Sequence, residues 1–253
     1  MNGTRQTALE VVSRTLAADY GCDEGDFQQD GIVFCVAPEK GARGFEIPDS
    51  FLGVVSMGKG IVVSCSANRL RWAKAKLASI SPDRFFFGPS IAIMHDYVAR
   101  AGQRMVGPDL KFVCTQEDFR RFQTDIQVEL VEGGDIAELY PNSSFPNALG
   151  RADDPLRPTV IVALAKHQGT VIGMAAAKAD SDLMWQVGID TLQGYRRMGI
   201  AKALVARLTG RVLERGRIPY YATWISNIGS QRTALSVGYA PVWAEMYSRN
   251  TDR

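Results

Sequence analysis

Cysteine and histidine are scarce in this chain of 253 residues, which has four cysteines and two histidines. The cysteines are Cys22, Cys35, Cys65 and Cys114. They are scattered and form no Cys-x-x-Cys pair, so we expect buried thiols in a reducing cytosol and not a disulfide framework or a metal site. With only His95 and His167 available, a histidine-rich metal centre is not expected either.

Long apolar runs and an excess of one charge are also missing. No apolar run approaches the roughly 18 residues that a membrane span requires. Residues 1–15 mix charged and apolar side chains, which argues against a signal-peptide core. The formal net charge is only +2, so bulk electrostatics favour neither a nucleic-acid nor a membrane partner. We therefore expect a cytoplasmic protein.

Hydrophobic residues make up 46% of the chain and charged residues 22%, which is ordinary for a protein that buries a core. Apolar runs at 51–56 and 61–66 flank a turn and predict a hairpin, and residues 68–80 have helical periodicity. The character of the sequence changes from Ile126, and the boundary between domains is expected shortly before it, near residue 120. We place a domain boundary there, with an N-terminal α/β module of unknown role at 1–120 and a second domain at 121–253.

The second half of the chain alternates strand and helix patterns. The predicted strands are 126–132, 159–166, 170–178, 183–192 and 219–225, and the predicted helices are 201–215 and 228–237. The connections among the strands between 159 and 192 are short, which favours antiparallel hairpins. A final pair of strands is predicted within 239–248.

The junction between strand 183–192 and helix 201–215 has the sequence Arg196-Arg197-Met198-Gly199-Ile200-Ala201. A strand that turns into a helix here would present unpaired N–H groups and the positive end of the helix dipole. Glycine at 199 would let the backbone approach an anion closely. This pattern indicates a phosphate or pyrophosphate cradle. The alternative is an ordinary turn with solvated arginines.

Three features in order resemble the GNAT superfamily of acyl-CoA N-acyltransferases. Arg196-x-x-Gly199-x-Ala201 after a strand resembles the family's pyrophosphate loop. Asn227-x-x-Ser230 resembles the segment that opens the family's next helix, and Gly238-Tyr239 resembles the turn that ends it. The resemblance covers residues 120–253, and residues 1–120 are similar at best to the additional N-terminal module of some longer bacterial members.

The resemblance implies a fold and an activity. The fold would be α/β (α+β), with a mixed, mostly antiparallel sheet flanked by helices and a second, smaller α/β module at the N-terminus. The activity would be direct transfer of an acetyl group from acetyl-CoA, without a metal, to the amine of a small molecule or peptide. A homodimer is left open.

The resemblance also implies which residues contact coenzyme A. They are Ile189, Asp190, Thr191, Arg196, Arg197, Met198, Gly199, Ile200, Ala201, Asn227 and Ser230. The loop N–H groups would bind the pyrophosphate, and the strand would pair main chain to main chain with pantetheine. Asn227 would either bond to the pantetheine arm or cap the next helix.

Catalytic residues are not identified by the sequence. At pH 7 only about one alkyl amine in two thousand is neutral, so a general base would help. The residues on the strand face shared with Thr191 are Trp185, Val187 and Ile189, and none of them is basic. Asp190 would point to the opposite face, where it serves as a structural hydrogen-bonding group or, if a bulge re-aims it, as a base.

The general acid is also unassigned. Many family members have a tyrosine seven residues after the asparagine, and that position is Ala234 here. Tyr239 and Tyr247 are nearby in sequence and read as packed side chains. A catalytically weak acyl-CoA sensor therefore stays open as an alternative. A dinucleotide-binding oxidoreductase is disfavoured, because no Gly-x-Gly-x-x-Gly follows a strand.

The irregular stretch Pro141 to Pro158 lies between the predicted strands 126–132 and 159–166. Loops above a rigid sheet often carry substrate specificity. This stretch is therefore either an acceptor-side loop or an ordinary surface connection.

Overall fold

A computed structural model of the chain describes residues 4–45, 47–48, 50–140, 144–150 and 153–251. The helices are α1 (Arg5–Tyr20), α2 (Ala67–Leu77), α3 (Gly88–Ala99), α4 (Ile200–Glu214) and α5 (Ile228–Val237). The strands are β1 (Ile32–Val36), β2 (Leu52–Ser56), β3 (Ile61–Cys65), β4 (Gln103–Val113), β5 (Val128–Glu132), β6 (Thr159–His167), β7 (Thr170–Ala179), β8 (Met184–Thr191), β9 (Ile218–Trp224) and β10 (Ala240–Asn250). Among the described residues, no helix is long and apolar enough to cross a membrane.

The chain divides into two compact units. The N-terminal unit comprises Glu10–Lys111 and Val242–Arg253, and the C-terminal unit comprises Met1–Leu9 and Phe112–Pro241. This division differs from the sequence boundary near 120, because the last residues of the chain group with the N-terminal unit. The physical reason is strand pairing. β10 pairs antiparallel with β2, a partner so distant in sequence that no local pattern indicates it.

The N-terminal unit contains a sheet with the strand order β1-β3-β2-β10-β4. β1 and β3 are parallel, whereas β2 pairs antiparallel with both β3 and β10. The predicted hairpin is thus present as β2 and β3. Side chains of α2 and α3, among them Leu77 and Met94, pack with Val63 of the sheet in one core. The strand pair predicted within 239–248 was wrong, since that segment lies in the single strand β10.

A buried charge cluster lies inside the N-terminal unit, centred on Glu245. Its carboxylate accepts hydrogen bonds from Arg43 Nη2 at 2.8 Å and from Trp243 Nε1 at 3.1 Å. Lys111 Nζ lies 3.1 Å from its other oxygen, and Asp19 pairs with the same arginine. Burial alone would raise the pKa of Glu245, but Arg43 and Lys111 outweigh it and hold that pKa well below its ordinary value. The cluster depends on the carboxylate staying charged.

The C-terminal unit contains a sheet with the order β9-β8-β7-β6-β5. The neighbours from β5 to β8 are antiparallel, and β8 and β9 are parallel. Helix α4 packs on one face of this sheet. A Cβ on Gly173 of β7 would lie 2.9 Å from side-chain atoms of both Ile200 and Leu204. The expected fold class, a mixed and mostly antiparallel sheet flanked by helices, is confirmed.

Replacing Glu245 by glutamine is expected to lower the free energy of unfolding by about 3 kcal/mol, because Arg43 and Lys111 would lose a buried counter-charge. Chemical denaturation measures the change. Wild-type stability is also expected to decrease as the pH falls below the ordinary carboxyl pKa of 4.5, since a group with a lowered pKa stabilises only while ionised. The exposed Glu39→Gln is the matched control, and equal losses in both variants would contradict the role of the cluster.

Candidate functional site

The parallel pairing of β8 and β9 covers only part of either strand. Residues 184–187 pair with residues 218–221, and both strands then continue as residues 188–191 and 222–224. The other edge of β8 stays paired with β7 to its end. We call these two continuing segments the fork. A strand edge beyond its last pair presents main-chain N–H and C=O groups that need partners, so the fork can accept an extended ligand.

The loop after β8 has an unusual backbone. Arg197 has φ +65° and Gly199 has φ +83°, so both are left-handed. For a residue with a side chain, such as Arg197, this conformation costs about 1 kcal/mol or more and concentrates at functional sites. Left-handed residues among ordinary ones can turn successive N–H groups to one side and form an anion-binding concavity.

Helix α4 begins directly after this loop, with Gly199 as its N-cap. The Ala203 N–H donates to the Gly199 carbonyl at 3.0 Å. The N–H groups of Ile200, Ala201 and residue 202 come before that bond, and helix geometry gives them no intrahelical acceptor. A glycine cap has no side chain to accept from them either. The start of α4 therefore combines open donors with the positive end of the helix dipole.

Arg196 connects the loop to the fork. Its Nε donates to the main-chain carbonyl of Thr191, the last residue of β8, at 3.3 Å. Arg196 and Arg197 are both exposed. The predicted residues 189–191 and 196–201 thus follow one another from the open strand edge, through the loop, to the first turn of α4.

The two faces of β8 at the fork differ. Thr191 pairs with Gly173, the residue against which α4 packs, so Thr191 and Ile189 face α4. The Thr191 hydroxyl oxygen is buried and has no hydrogen-bond partner among the described residues. Because side chains alternate along a strand, Gly188 and Asp190 lie on the opposite face.

Asp190 anchors a loop on that opposite face. Its carboxylate accepts from the Asn147 main-chain N–H at 2.7 Å, the Ala148 N–H at 2.9 Å and the Asn147 side-chain amide at 2.5 Å. A Cβ at Gly188 would lie 2.1 Å from the Asn147 carbonyl oxygen, so the loop contacts the bare backbone there. Of the two roles set out for Asp190, the structure shows the hydrogen-bonding one. Pro141, where the predicted acceptor-side loop begins, lies outside the described residues.

Asn227 and Ser230 follow the end of β9 and lie on the β9 side of the fork. The Asn227 side-chain oxygen accepts from the Ser230 N–H at 3.1 Å and caps α5. The Ser230 hydroxyl is 2.6 Å from the hydroxyl of Tyr221, in the last paired position of β9. Burial raises the pKa of Tyr221 to about 12, so its phenol is neutral at physiological pH. Sequence reasoning missed this tyrosine, because only the fold places its hydroxyl beside α5.

Of the other tyrosines considered from the sequence, Tyr239 is buried and Tyr247 is half-buried. The Tyr239 hydroxyl is 2.7 Å from the Thr209 hydroxyl, and its ring meets that of Tyr221 edge-on. Tyr247 lies on β10 in the N-terminal unit. Ala234 is fully buried.

The sequence profile of the acetyltransferase (GNAT) family matches residues 126–239. These residues form a GNAT acetyltransferase domain. The matched range lies within the C-terminal unit and includes the fork, the loop and the first turns of α4 and α5. No curated protein sequence matches the chain.

Several solved structures are similar to this chain. A GCN5-related N-acetyltransferase from Sphaerobacter thermophilus has 12% identity and a TM-score of 0.50, and the match covers 98% of this chain and 94% of that chain. A GCN5-related N-acetyltransferase-like protein from Streptococcus suis 89/1591 has 17% identity and a TM-score of 0.49, covering 96% and 99%. A GCN5-related N-acetyltransferase from Kribbella flavida has 18% identity and a TM-score of 0.45, covering 62% and 63%. At 12% identity the likeness to the Sphaerobacter thermophilus structure shows a shared fold and carries no information on the substrate.

The GNAT domain thus has the chemical parts for holding an extended, anionic ligand. The loop supplies donors and positive charge, the fork supplies an open strand edge, and the Tyr221 and Ser230 hydroxyls supply a neutral proton donor. Within the part of the chain that the structure describes, no group of three or more His, Cys, Asp or Glu residues is placed to hold a metal ion.

Replacing Asp190 by alanine is expected to release residues 147 and 148. Hydrogen bonds to a charged acceptor contribute about 1.5–3 kcal/mol each, so amide exchange at Asn147 and Ala148 should accelerate at least about tenfold. Hydrogen exchange read by mass spectrometry or NMR measures this. The exposed Asp182→Ala serves as the control, and unchanged protection in Asp190→Ala would contradict the anchoring role.

Proposed function

We propose that the GNAT domain transfers an acetyl group from acetyl-CoA directly to the amine of an acceptor. The observation that carries the proposal is the loop from Arg196 to Ala201, in which two left-handed residues lead into a helix without a side-chain cap for its first N–H groups. The family assignment supports acyl transfer in general. The loop's suitability for a pyrophosphate supports coenzyme A as the carrier.

Each part of the coenzyme has a place in this proposal. The N–H groups from Arg197 to Ala201 bind the pyrophosphate, and the Arg196 and Arg197 side chains add positive charge. The open edge of β8 from Ile189 through Asp190 to Thr191 pairs with the amide groups of pantetheine. Asn227 acts indirectly. Its side chain caps α5 and so keeps the β9 side of the fork in position.

The reaction follows from this placement. The amine nitrogen attacks the thioester carbonyl carbon, a C–N bond forms, and the C–S bond breaks. N–H groups of β8 polarise the carbonyl. The Tyr221 phenol passes its proton to Ser230 as the Ser230 hydroxyl gives its own proton to the departing sulfur, and solvent then returns a proton to Tyr221. We assign removal of the amine proton to solvent water, because the Asp190 carboxylate already accepts three hydrogen bonds from the 147–148 loop.

The test of the donor uses acetyl-CoA and a panel of amines that includes ethanolamine, 2-phenylethylamine, putrescine and a peptide. Acetyl-CoA is expected to raise the melting temperature, because a ligand that binds only the folded state stabilises it. At least one amine should give time-dependent release of free thiol. Binding without thiol release from any amine would contradict transfer and indicate a binding module instead.

Replacing Ala201 by glutamate tests the pyrophosphate site. A carboxylate in the first turn of a helix is favourable for the helix itself, so folding should be preserved while the new charge repels the pyrophosphate. We expect the Kd for acetyl-CoA to rise at least about tenfold, since a charge interaction of 1.4 kcal/mol corresponds to that factor. Calorimetric titration measures it.

The matched control is Ala67→Glu, the same change at the exposed first residue of α2 in the N-terminal unit. Its affinity for acetyl-CoA should equal that of the wild type. Pantetheine, which lacks the pyrophosphate, should bind Ala201→Glu and wild type alike. Unchanged acetyl-CoA affinity in Ala201→Glu would show that the loop does not hold the pyrophosphate.

Replacing Tyr221 by phenylalanine tests the hydroxyl pair of Tyr221 and Ser230 that supplies the proton. General acid groups contribute about 10²–10⁴-fold, so kcat with acetyl-CoA should fall about 100-fold at unchanged acetyl-CoA affinity. With 4-nitrophenyl acetate as donor, whose leaving group departs as a stable anion, the loss should be much smaller. Equal losses with both donors would mean that the hydroxyl has a structural role only.

A further inference from the structure

Trp224 is an exposed aromatic side chain at the end of β9. Its exposed fraction is 70%, and those of the neighbouring Ile225 and Ile228 are 61% and 51%. Large apolar side chains that cluster at the surface mark contact sites more often than single ones do. All three belong to the C-terminal unit and border the fork.

The segment that carries this tryptophan is held in place. Gln231 Nε2 donates to the Trp224 carbonyl at 3.2 Å and to the Ile225 carbonyl at 2.9 Å. The Asn227 N–H donates to the Trp224 carbonyl at 3.0 Å. An aromatic side chain on a fixed backbone loses little conformational freedom when it binds a ligand. These bonds therefore fix the backbone of Trp224, so that its side chain can contact a ligand without a rearrangement of the segment.

Strand alternation assigns the face on which Trp224 lies. Tyr221 pairs with Val187, which shares the α4 face of β8 with Thr191. Its ring meets Tyr239, which is bonded to α4 through Thr209. Trp224 follows three positions later, so its side chain projects from the opposite face. That is the face of Asp190 and of the loop at 147–148.

The same geometry sets the direction from which an acceptor arrives. Helix α4 covers one face of the sheet beside the fork, as the contact at Gly173 shows. The proposed coenzyme runs from the start of α4 along the edge of β8. An amine that attacks the thioester carbon must then enter from the face opposite α4, between the 147–148 loop on one side and Trp224 on the other.

We propose that the acceptor is a primary amine that carries an aromatic or branched apolar group next to the amine, and that this group packs on Trp224. The inference rests on the proposed acetyl transfer and adds the substrate class. Ile225 extends the apolar surface, and the hydrogen bonds from Gln231 keep both residues in position. Trp224 is thus a specificity-determining residue that takes no part in the chemistry.

The experiment compares 2-phenylethylamine with ethanolamine as acceptors of the acetyl group from acetyl-CoA. Apolar contacts in a binding site discriminate substrates by about 10–200-fold. We expect wild type to favour 2-phenylethylamine in kcat/KM at least about tenfold, and Trp224→Ala to lose that preference mainly through KM. Trp224→Phe should retain part of it. Because the side chain is exposed, none of these substitutions removes core packing.

The control is Leu235→Ala, which truncates another exposed apolar residue, two turns further along α5. It should keep the wild-type preference. Acetyl-CoA affinity is measured for every variant, so that a loss of acetyl-CoA binding is distinguished from a loss of acceptor preference. No thiol release with any amine of the panel would overturn the transfer reaction and the acceptor class with it.

Three results would overturn the acceptor assignment alone. The first is a wild type that prefers ethanolamine. The second is a Trp224→Ala variant with weakened acetyl-CoA binding and unchanged pantetheine binding. That result would mean that the indole ring of Trp224 packs on the adenine of acetyl-CoA and not on the acceptor. The third is a Trp224→Ala variant that changes the mass of the protein in solution, which would assign the apolar surface to self-association.

Discussion

The arrangement of the C-terminal unit depends on one constraint, the point at which β8 and β9 stop pairing. Up to Val187 and Tyr221 the two strands share main-chain hydrogen bonds, and beyond it each strand carries an open edge. An open edge inside a folded unit is costly unless something satisfies its polar groups. The other features of the site follow from this gap, because the left-handed loop starts where β8 ends and the cap of α5 follows the end of β9.

The two faces of the gap are organised in different ways. On the α4 side the site is built from main chain, since the donors are backbone N–H groups and the conformation is set by Arg197 and Gly199. On the other side it is built from side chains, with Asp190 fixing one loop and Trp224 bordering the opening. Backbone donors suit a constant group such as a phosphate. Side chains can be exchanged without disturbing the backbone, which suits the part of a site that selects its substrate.

The sequence predicts those parts of the site that are local. Arg196 to Ala201 is contiguous, and its meaning depends only on a strand before it and a helix after it, both of which have clear periodicity. The different roles of the two faces of the sheet depend on contacts between residues that are distant in sequence. The contacts of Asp190 with residues 147 and 148, and of Tyr221 with Ser230, arise from segments that meet only in the folded unit. β4 and the single strand β10 were missed for the same reason, since pairing with a distant partner leaves no periodic signal.

The grouping of Val242–Arg253 with the N-terminal unit has a consequence for synthesis of the chain. Arg43 and Lys111 leave the ribosome long before Glu245, the carboxylate that both of them contact. Until those last residues emerge, the nascent N-terminal unit lacks an edge partner for β2 and holds two cations without their shared counter-ion. Its final folding step therefore comes after the whole GNAT domain has been made, so a ribosome that stops early releases a chain whose first-made unit is the incomplete one.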